Sequence, residues 1–465
     1  MLEADFRPVR RPKRSAILLF AGATISFAPT QSSATIRVWH CGVDSAACSA
    51  LTHSSVPLIQ IQASPASALI DAAKRWLEVA ERIRSSGALL SRGTLPPDLT
   101  TARTAFEQAW YNAGLQDRRE AGHQTLGKAF SMLIRSYRTQ EKGNPDPSIA
   151  YTWSDEMINF FRQTASRREL ADAMLEKAAI YLEVSQLNHT DRIRFDRISS
   201  DGDRLLQDCM SIFEEDQKTE VLRYWSRFYY NLARPASGRL SDRWDDRFLM
   251  LADERIDSAL DREPELLKNL NQKARVTQRR ARNTLQAPSK HWADALWKAQ
   301  RAYSGAWRKV DSSIQRAEDR ISPLNVLAMV TLDAAMYTLT VSDEDSKRVV
   351  TPNLLKELDD TGLKAQLNAW ALIRNTELSR AYGFDTAYDL ARIYALRGIL
   401  AGIQGSGRQN EDVDAAALYL REARQLATVV QLDAAKASVG GDPVYAGLPS
   451  HATQRLLRVL NGEEQ

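Results

Sequence analysis

The chain has 465 residues, 44% hydrophobic and 26% charged, and its 62 basic and 58 acidic residues leave a formal net charge of +4. That length buries a sizeable core, while the near-neutral balance gives no overall signal for a polyanion partner. Three cysteines exclude a disulfide scaffold, 21 glycines and 16 prolines argue against an all-β fold of tight turns, and no apolar run is found to reach the roughly 18 residues a membrane-spanning helix needs.

The first 63 residues differ in kind, with three of the 58 acids (Glu3, Asp5, Asp44) but two of the three cysteines. Arg7, Arg10, Arg11, Lys13 and Arg14 precede the mostly apolar Ala16–Ala28, and Pro29–Ala34 closes on Ser32-Ser33-Ala34. That is the layout of a secretory signal over residues 1–34; the competing reading is a basic tail on a cytoplasmic protein. Thr35–Trp39 and Val56–Ile61 are the two β-type runs of a short extension over 35–63, and Pro57 confines the second to a sheet edge. Between them, His40, Cys41, Cys48 and His53 allow three readings: a zinc set with unusual spacing, a Cys41–Cys48 disulfide in an exported chain, or free thiols.

From residue 64 onward the periodicity is helical, divided into arrays over 64–240 and 241–465. Ser64-Pro65 reads as a cap followed by proline at the first helical position. Leu69, Ala73, Trp76 and Ala80 then line one face; Ala102, Phe106 and Trp110, and next Leu126, Phe130, Leu133 and Tyr137, form the stripes that follow. Further helices are expected over Ile149–Gln163, Arg167–Leu187, Asp191–Glu215, Lys218–Ala233, Asp242–Arg262, Glu265–Gln286, Lys290–Ile321, Leu324–Thr340, Asn353–Asp360, Leu363–Tyr382 and His451–Leu460. Pro235, Pro264, Pro288, Pro323 and Pro352 each fall where the apolar period stops and are read as boundaries.

Two helices within Ala387–Ala423 pair face to face: Ala387, Leu390, Ala391, Tyr394 and Gly398 on the first, Ala416, Leu420 and Ala423 on the second. This arrangement of large and small residues resembles a tetratricopeptide repeat, departing from it in an inserted loop at Gln404–Glu411 and in lacking a closing proline. Ala252, Ile256, Ala259 and Pro264 resemble the closing half of the same repeat, although Leu240–Arg243 offers it no partner helix. The fold expected is all-α: antiparallel helix pairs stacked as an irregular α-solenoid, the alternative being an irregular helical bundle with chance matches to the repeat. The resemblance implies a scaffold that binds a protein or peptide, with no cofactor and no catalysis.

Chemistry has little local signature. The six histidines are scattered, and no zincin, nucleophile-elbow or phosphate-loop motif occurs. The one charge anomaly is Leu266–Ala293, with Lys268, Lys273, Arg275, Arg279, Arg280, Arg282 and Lys290 and no acid. A nucleic-acid-associated regulator working through that stripe is the alternative reading. Trp292, Leu296, Ala299, Tyr303, Ala306, Val310, Ile314, Ala317 and Ile321 form a near-heptad seam, so 265–321 is expected to project as a hairpin of roughly 40 Å. Its expected partner-binding residues are Arg275, Arg279, Arg280, Trp297 and Trp307.

Overall fold

The computed structural model describes residues 64–85, 96–141, 143–185, 187, 191–235, 243–284, 288–314, 317–374 and 379–464. The signal-like segment, the two β-type runs and the His40, Cys41, Cys48, His53 set lie outside the described residues. Every regular element among those residues is helical. In order they are α1 (Pro65–Ser85), α2 (Pro97–Asn112), α3 (Leu115–Glu120), α4 (His123–Gln140), α5 (Ser148–Gln163), α6 (Arg167–Val184) and α7 (Arg192–Ile212). There follow α8 (Lys218–Leu232), α9 (Asp246–Arg262), α10 (Leu267–Asn283), α11 (Lys290–Val310), α12 (Ala317–Val341) and α13 (Glu344–Glu357). The last six are α14 (Lys364–Arg374), α15 (Ser379–Ile403), α16 (Gln409–Leu426), α17 (Val429–Gly441), α18 (Pro443–Ala446) and α19 (Ser450–Asn461).

Local chemistry sets many of these ends. The main-chain N–H of Ser67 donates to Ser64 Oγ at 3.2 Å, so Ser64 caps α1. Asp191, Asp245 and Asp343 cap α7, α9 and α13 by accepting from main-chain N–H groups of the first turn. Gly462, at φ +82°, supplies the left-handed residue that ends α19.

Each helix packs mainly on its neighbours in the sequence, most extensively α15 on α16 and α8 on α9, so the architecture is a stack of helix pairs. Two large buried clusters result. One draws on α1 to α8, where Trp110 meets Phe130 edge-on at 4.6 Å and Phe160 at 5.1 Å. The other draws on α10 to α19. Ala252 of α9 and Val276 of α10 reach across into the first cluster. In the α15–α16 pair, Ala387, Leu390, Ala391, Ala416, Leu420 and Ala423 have no exposed surface. Tyr394 stacks on Tyr419 at 5.6 Å. The closing-half residues Ala252, Ile256 and Ala259 are equally buried, and their partner is α8, not the segment beside Leu240.

The helices differ from expectation in several places. The loop expected at Gln404–Glu411 is shorter, because α16 begins at Gln409. The helix expected over Leu363–Tyr382 is described from Lys364 to Arg374, residues 375–378 lie outside the described residues, and α15 is described from Ser379, eight residues ahead of its repeat-like stripe. Pro323 and Pro352 lie inside α12 and α13, where each removes one main-chain hydrogen bond without ending the helix. The helix expected over Lys290–Ile321 stops at Val310 in a short 3-10 turn, Asp311–Ser313, and Asp311 then takes the guanidinium of Arg320 at 2.6 Å.

α12 is long and apolar enough over Asp319–Val341 to cross a membrane, a length the sequence reading did not find. Most of that stretch is buried among α10, α11, α13, α14 and α15, which makes it the central core helix of the second cluster. A π-type turn, Leu358–Leu363, joins α13 to α14, and Gly362 brings it against Thr331 of α12.

Candidate functional site

The expected hairpin surface is largely internal. Trp307 is 5% exposed and belongs to the second core cluster. Trp297 is half-buried and donates from Nε1 to Thr338 Oγ1 of α12 at 2.9 Å. With α10 and α12 both packed on α11, no projecting arm forms, and the tryptophans are not free anchors. Arg279 is 4% exposed, its guanidinium 4.1 Å from the Trp244 ring.

The basic stripe is met by acids from other helices. Lys273 reaches Asp253 at 2.8 Å and Asp257 at 2.7 Å, Arg280 pairs with Asp253, and Arg282 pairs with Asp333 at 2.9 Å. Those acids lie on α9 and α12. Arg275 is exposed and forms no ion pair among the described residues. A helix whose cations are taken up this way presents little free charge to phosphates.

Arg282 leads instead to a charged cluster between α10, α12, α15 and the start of α18. Asp333 is the sole charged residue in Ile321–Val341 and is 1% exposed. It accepts from both Arg282 Nε and Nη2, at 3.2 and 2.9 Å, and from Gln278 Nε2 at 3.0 Å. A buried carboxylate in an apolar helix requires such partners, because desolvation otherwise costs several kcal/mol, on the order of the penalty for any buried ion.

On α15, Asp385, Tyr388, Asp389 and Arg392 fall at helical spacings on one face, opposite the repeat-like stripe. Arg392 donates from Nε to Asp442 Oδ2 at 2.9 Å and lies 3.6 Å from Asp389 and 3.8 Å from Asp333. Asp442 Oδ1 also accepts from the Val444 N–H at 3.0 Å, so the same carboxylate starts α18. A row of rings flanks the charges: Phe384 stacks on Tyr388 at 5.8 Å, and Tyr388 meets Tyr445 at 6.4 Å. The hydroxyls of Tyr388 and Tyr445 are both buried within this row.

Four carboxylates (Asp333, Asp385, Asp389, Asp442) thus face two guanidiniums (Arg282, Arg392). The excess negative charge shows in the titration of its members. Burial, with Asp385 one helical turn away, pushes Asp389 up to about 7 against the pull of Arg392. Burial also raises Asp385. Against burial, which disfavours its charge, Asp442, Asp333 and Asp389 hold Arg392 firmly protonated. Asp385 keeps an exposed face, and Asp389 is 19% exposed at its side chain, so the surplus charge has access to solvent.

Perturbed carboxylates beside an aromatic row mark a candidate site for a cationic group. The thiol of Cys209, by contrast, is buried and pushed up to about 12, far from a nucleophile's range. Among the described residues no group of three or more histidines, cysteines and acids is placed to hold a metal. The sequence reading missed Asp333, Asp389 and Arg392. Two signals for them were present: a lone acid inside an apolar helix, and a charged face opposite a small-residue stripe.

No protein-family model matches the chain, and no curated protein matches it. Among solved structures it has a likeness to a circular tandem repeat protein with novel repeat topology and enhanced subunit contact surfaces. The two are 12% identical, with 86% of this chain and 96% of that one covered, at a TM-score of 0.30. A score that low carries no argument, and the helical-pair architecture rests on the packing described above.

Proposed function

We propose that this chain is a helical-repeat scaffold that docks a basic segment of a partner protein on the open side of α15. The observation that carries the reading is the surplus of carboxylate at Asp385 and Asp389, of which Asp389 alone has a guanidinium near it (Arg392, 3.6 Å), set beside the half-buried Phe384–Tyr388 pair. A lysine or arginine side chain entering there supplies the missing positive charge and a contact for the ring faces, an interaction worth about 0.5–2 kcal/mol per cation–π pair. Rigid helices position both features, so binding requires little ordering of the scaffold. The segment is read as unstructured peptide chain, in keeping with the exposed helix faces that stacked pairs offer.

The test is fluorescence anisotropy of the full chain with labelled peptides of equal length, one rich in lysine and arginine, one rich in glutamate and one neutral. The basic peptide is expected to bind at least tenfold more tightly than the others, and the Asp385→Asn, Asp389→Asn double variant to abolish the preference. Equal binding of all three peptides, or a preference that survives the double variant, would refute the reading.

A further inference from the structure

The charged line of α10 does not end at the carboxylate cluster. Arg275, Gln278 and Arg282 fall at spacings of three and four, on one line along the helix. Gln278 and Arg282 both donate to Asp333, so one end of that line borders the α15 face. Arg275 lies two turns earlier, about 10 Å along the axis at 1.5 Å per residue.

There α10 lies beside α8. Gln272 of α10 donates from Nε2 to Ser226 Oγ of α8 at 3.3 Å, a buried contact that sets the two helices in register. The exposed residues that follow it are Arg275 on one helix and Arg227 on the other. Among the described residues neither guanidinium takes part in an ion pair. The acids on this side have partners of their own. Glu220, two turns before Arg227 on α8, holds Arg223 at 3.0 Å. Glu183 of α6, which draws on Arg227 from its other side, lies 3.3 Å from Arg138.

Two like charges are therefore held side by side on rigid helices. Burial, and after it the Arg275 guanidinium, push Arg227 below the usual arginine range. An anion placed between the two relieves both at once, whereas a cation there meets repulsion from both.

We propose that Arg227 and Arg275 form a second subsite for the segment that docks on α15, and that they receive its carboxylate side chains. The inference rests on the α15 reading and deepens it: the partner segment is charge-patterned, with basic residues at Asp385 and Asp389 and acidic ones at the arginine pair. The step from Arg282 to Arg275 spans about three residues of extended chain, and the reach from Arg282 to Asp389 adds roughly one or two. The acidic residues are thus expected about four residues from the basic ones. Repulsion at the arginine pair turns away uniformly basic segments long enough to reach it, so the pair contributes selectivity as well as affinity.

Fluorescence anisotropy on the full chain tests this with three labelled peptides. One carries a lysine- and arginine-rich block followed by glutamines; the second has two glutamates about four residues after the same block; the third reverses that order. A glutamate peptide, in one of the two orders, should bind roughly tenfold more tightly than the glutamine peptide, the scale of two charge-assisted contacts. The Arg227→Gln, Arg275→Gln double variant, which exchanges two exposed side chains, should remove that gain. It should do so with unchanged circular dichroism and no loss of affinity for the glutamine peptide. Glutamate peptides that bind no more tightly than the glutamine peptide, or a gain that survives the double variant, would overturn this inference and leave the α15 reading standing. Failure of the glutamine peptide to bind would overturn the α15 reading, and this inference with it.

Discussion

The sharpest expectation for the charged cluster concerns Asp333→Ala. The carboxylate is 1% exposed and accepts hydrogen bonds from Arg282 and Gln278, with Arg392 3.8 Å away. Its removal leaves two guanidiniums facing each other, Arg392 at 7% side-chain exposure and Arg282 at 24%. Breaking a buried pair from one side costs about 3–5 kcal/mol, chiefly through the abandoned partner. Because Arg392 keeps Asp442 and Arg282 keeps partial solvent access, the lower half of that range, about 3–4 kcal/mol, is expected. Asp333→Asn retains one acceptor and nearly the same volume, so its loss should be smaller. Urea unfolding followed by circular dichroism and by tryptophan fluorescence is the assay, read as a shift of midpoint at unchanged slope if the two probes coincide. Combining Asp333→Ala with Arg282→Ala should recover part of the loss, since the two sites share one interaction. A loss for Asp333→Ala within about 0.5 kcal/mol, the level of an ordinary surface substitution, would show that the cluster does not hold α10, α12 and α15 together.

Three further outcomes follow from burial and charge. Trp307→Ala empties a core position and should cost roughly 3–5 kcal/mol in the same unfolding assay; a near-neutral effect would return Trp307 to the surface. A side chain at Gly202 of α7 would overlap the ring of the fully buried Phe228, so Gly202→Ala should destabilise by about 1–3 kcal/mol, against the gain usual for alanine in a helix. Asp389 is raised from 3.8 to about 7 in the folded chain, so the folded state holds a proton that the unfolded state releases, and stability falls as pH rises from about 4 through 7. Asp389→Asn should flatten that part of the pH profile and raise the melting temperature at pH 8, as thermal unfolding at several pH values would show.

The parts of the fold legible in the sequence are those written in local spacing. The small-residue faces of α15 and α16 follow from steps of three and four, and all six of their alanines and leucines named in the repeat-like stripe are buried. Breaks were harder to place, because the apolar period runs on through them. Val310, Ile314 and Ile321 continue the α11 seam across Asp311–Ser313, where a polar tripeptide, with no proline or glycine, ends the helix. Pro323 misled in the other direction, since a helix supported on several sides tolerates one lost hydrogen bond. The seam of α11 defined one buried face, yet α10 and α12 cover it from two sides, which is why Trp297 and Trp307 are internal. Gln278, Asp333, Asp389 and Asp442 are far apart in the chain, so no motif of fixed spacing could announce their meeting.

The central claim is that the open side of α15 receives a cationic segment. Hydrogen–deuterium exchange on the full chain, with and without a saturating lysine- and arginine-rich peptide, tests it most directly. Slowed exchange concentrated in Ser379–Ile403 and Pro443–Ala446 is the result expected. Protection confined to α1 to α8, or none anywhere, would contradict it.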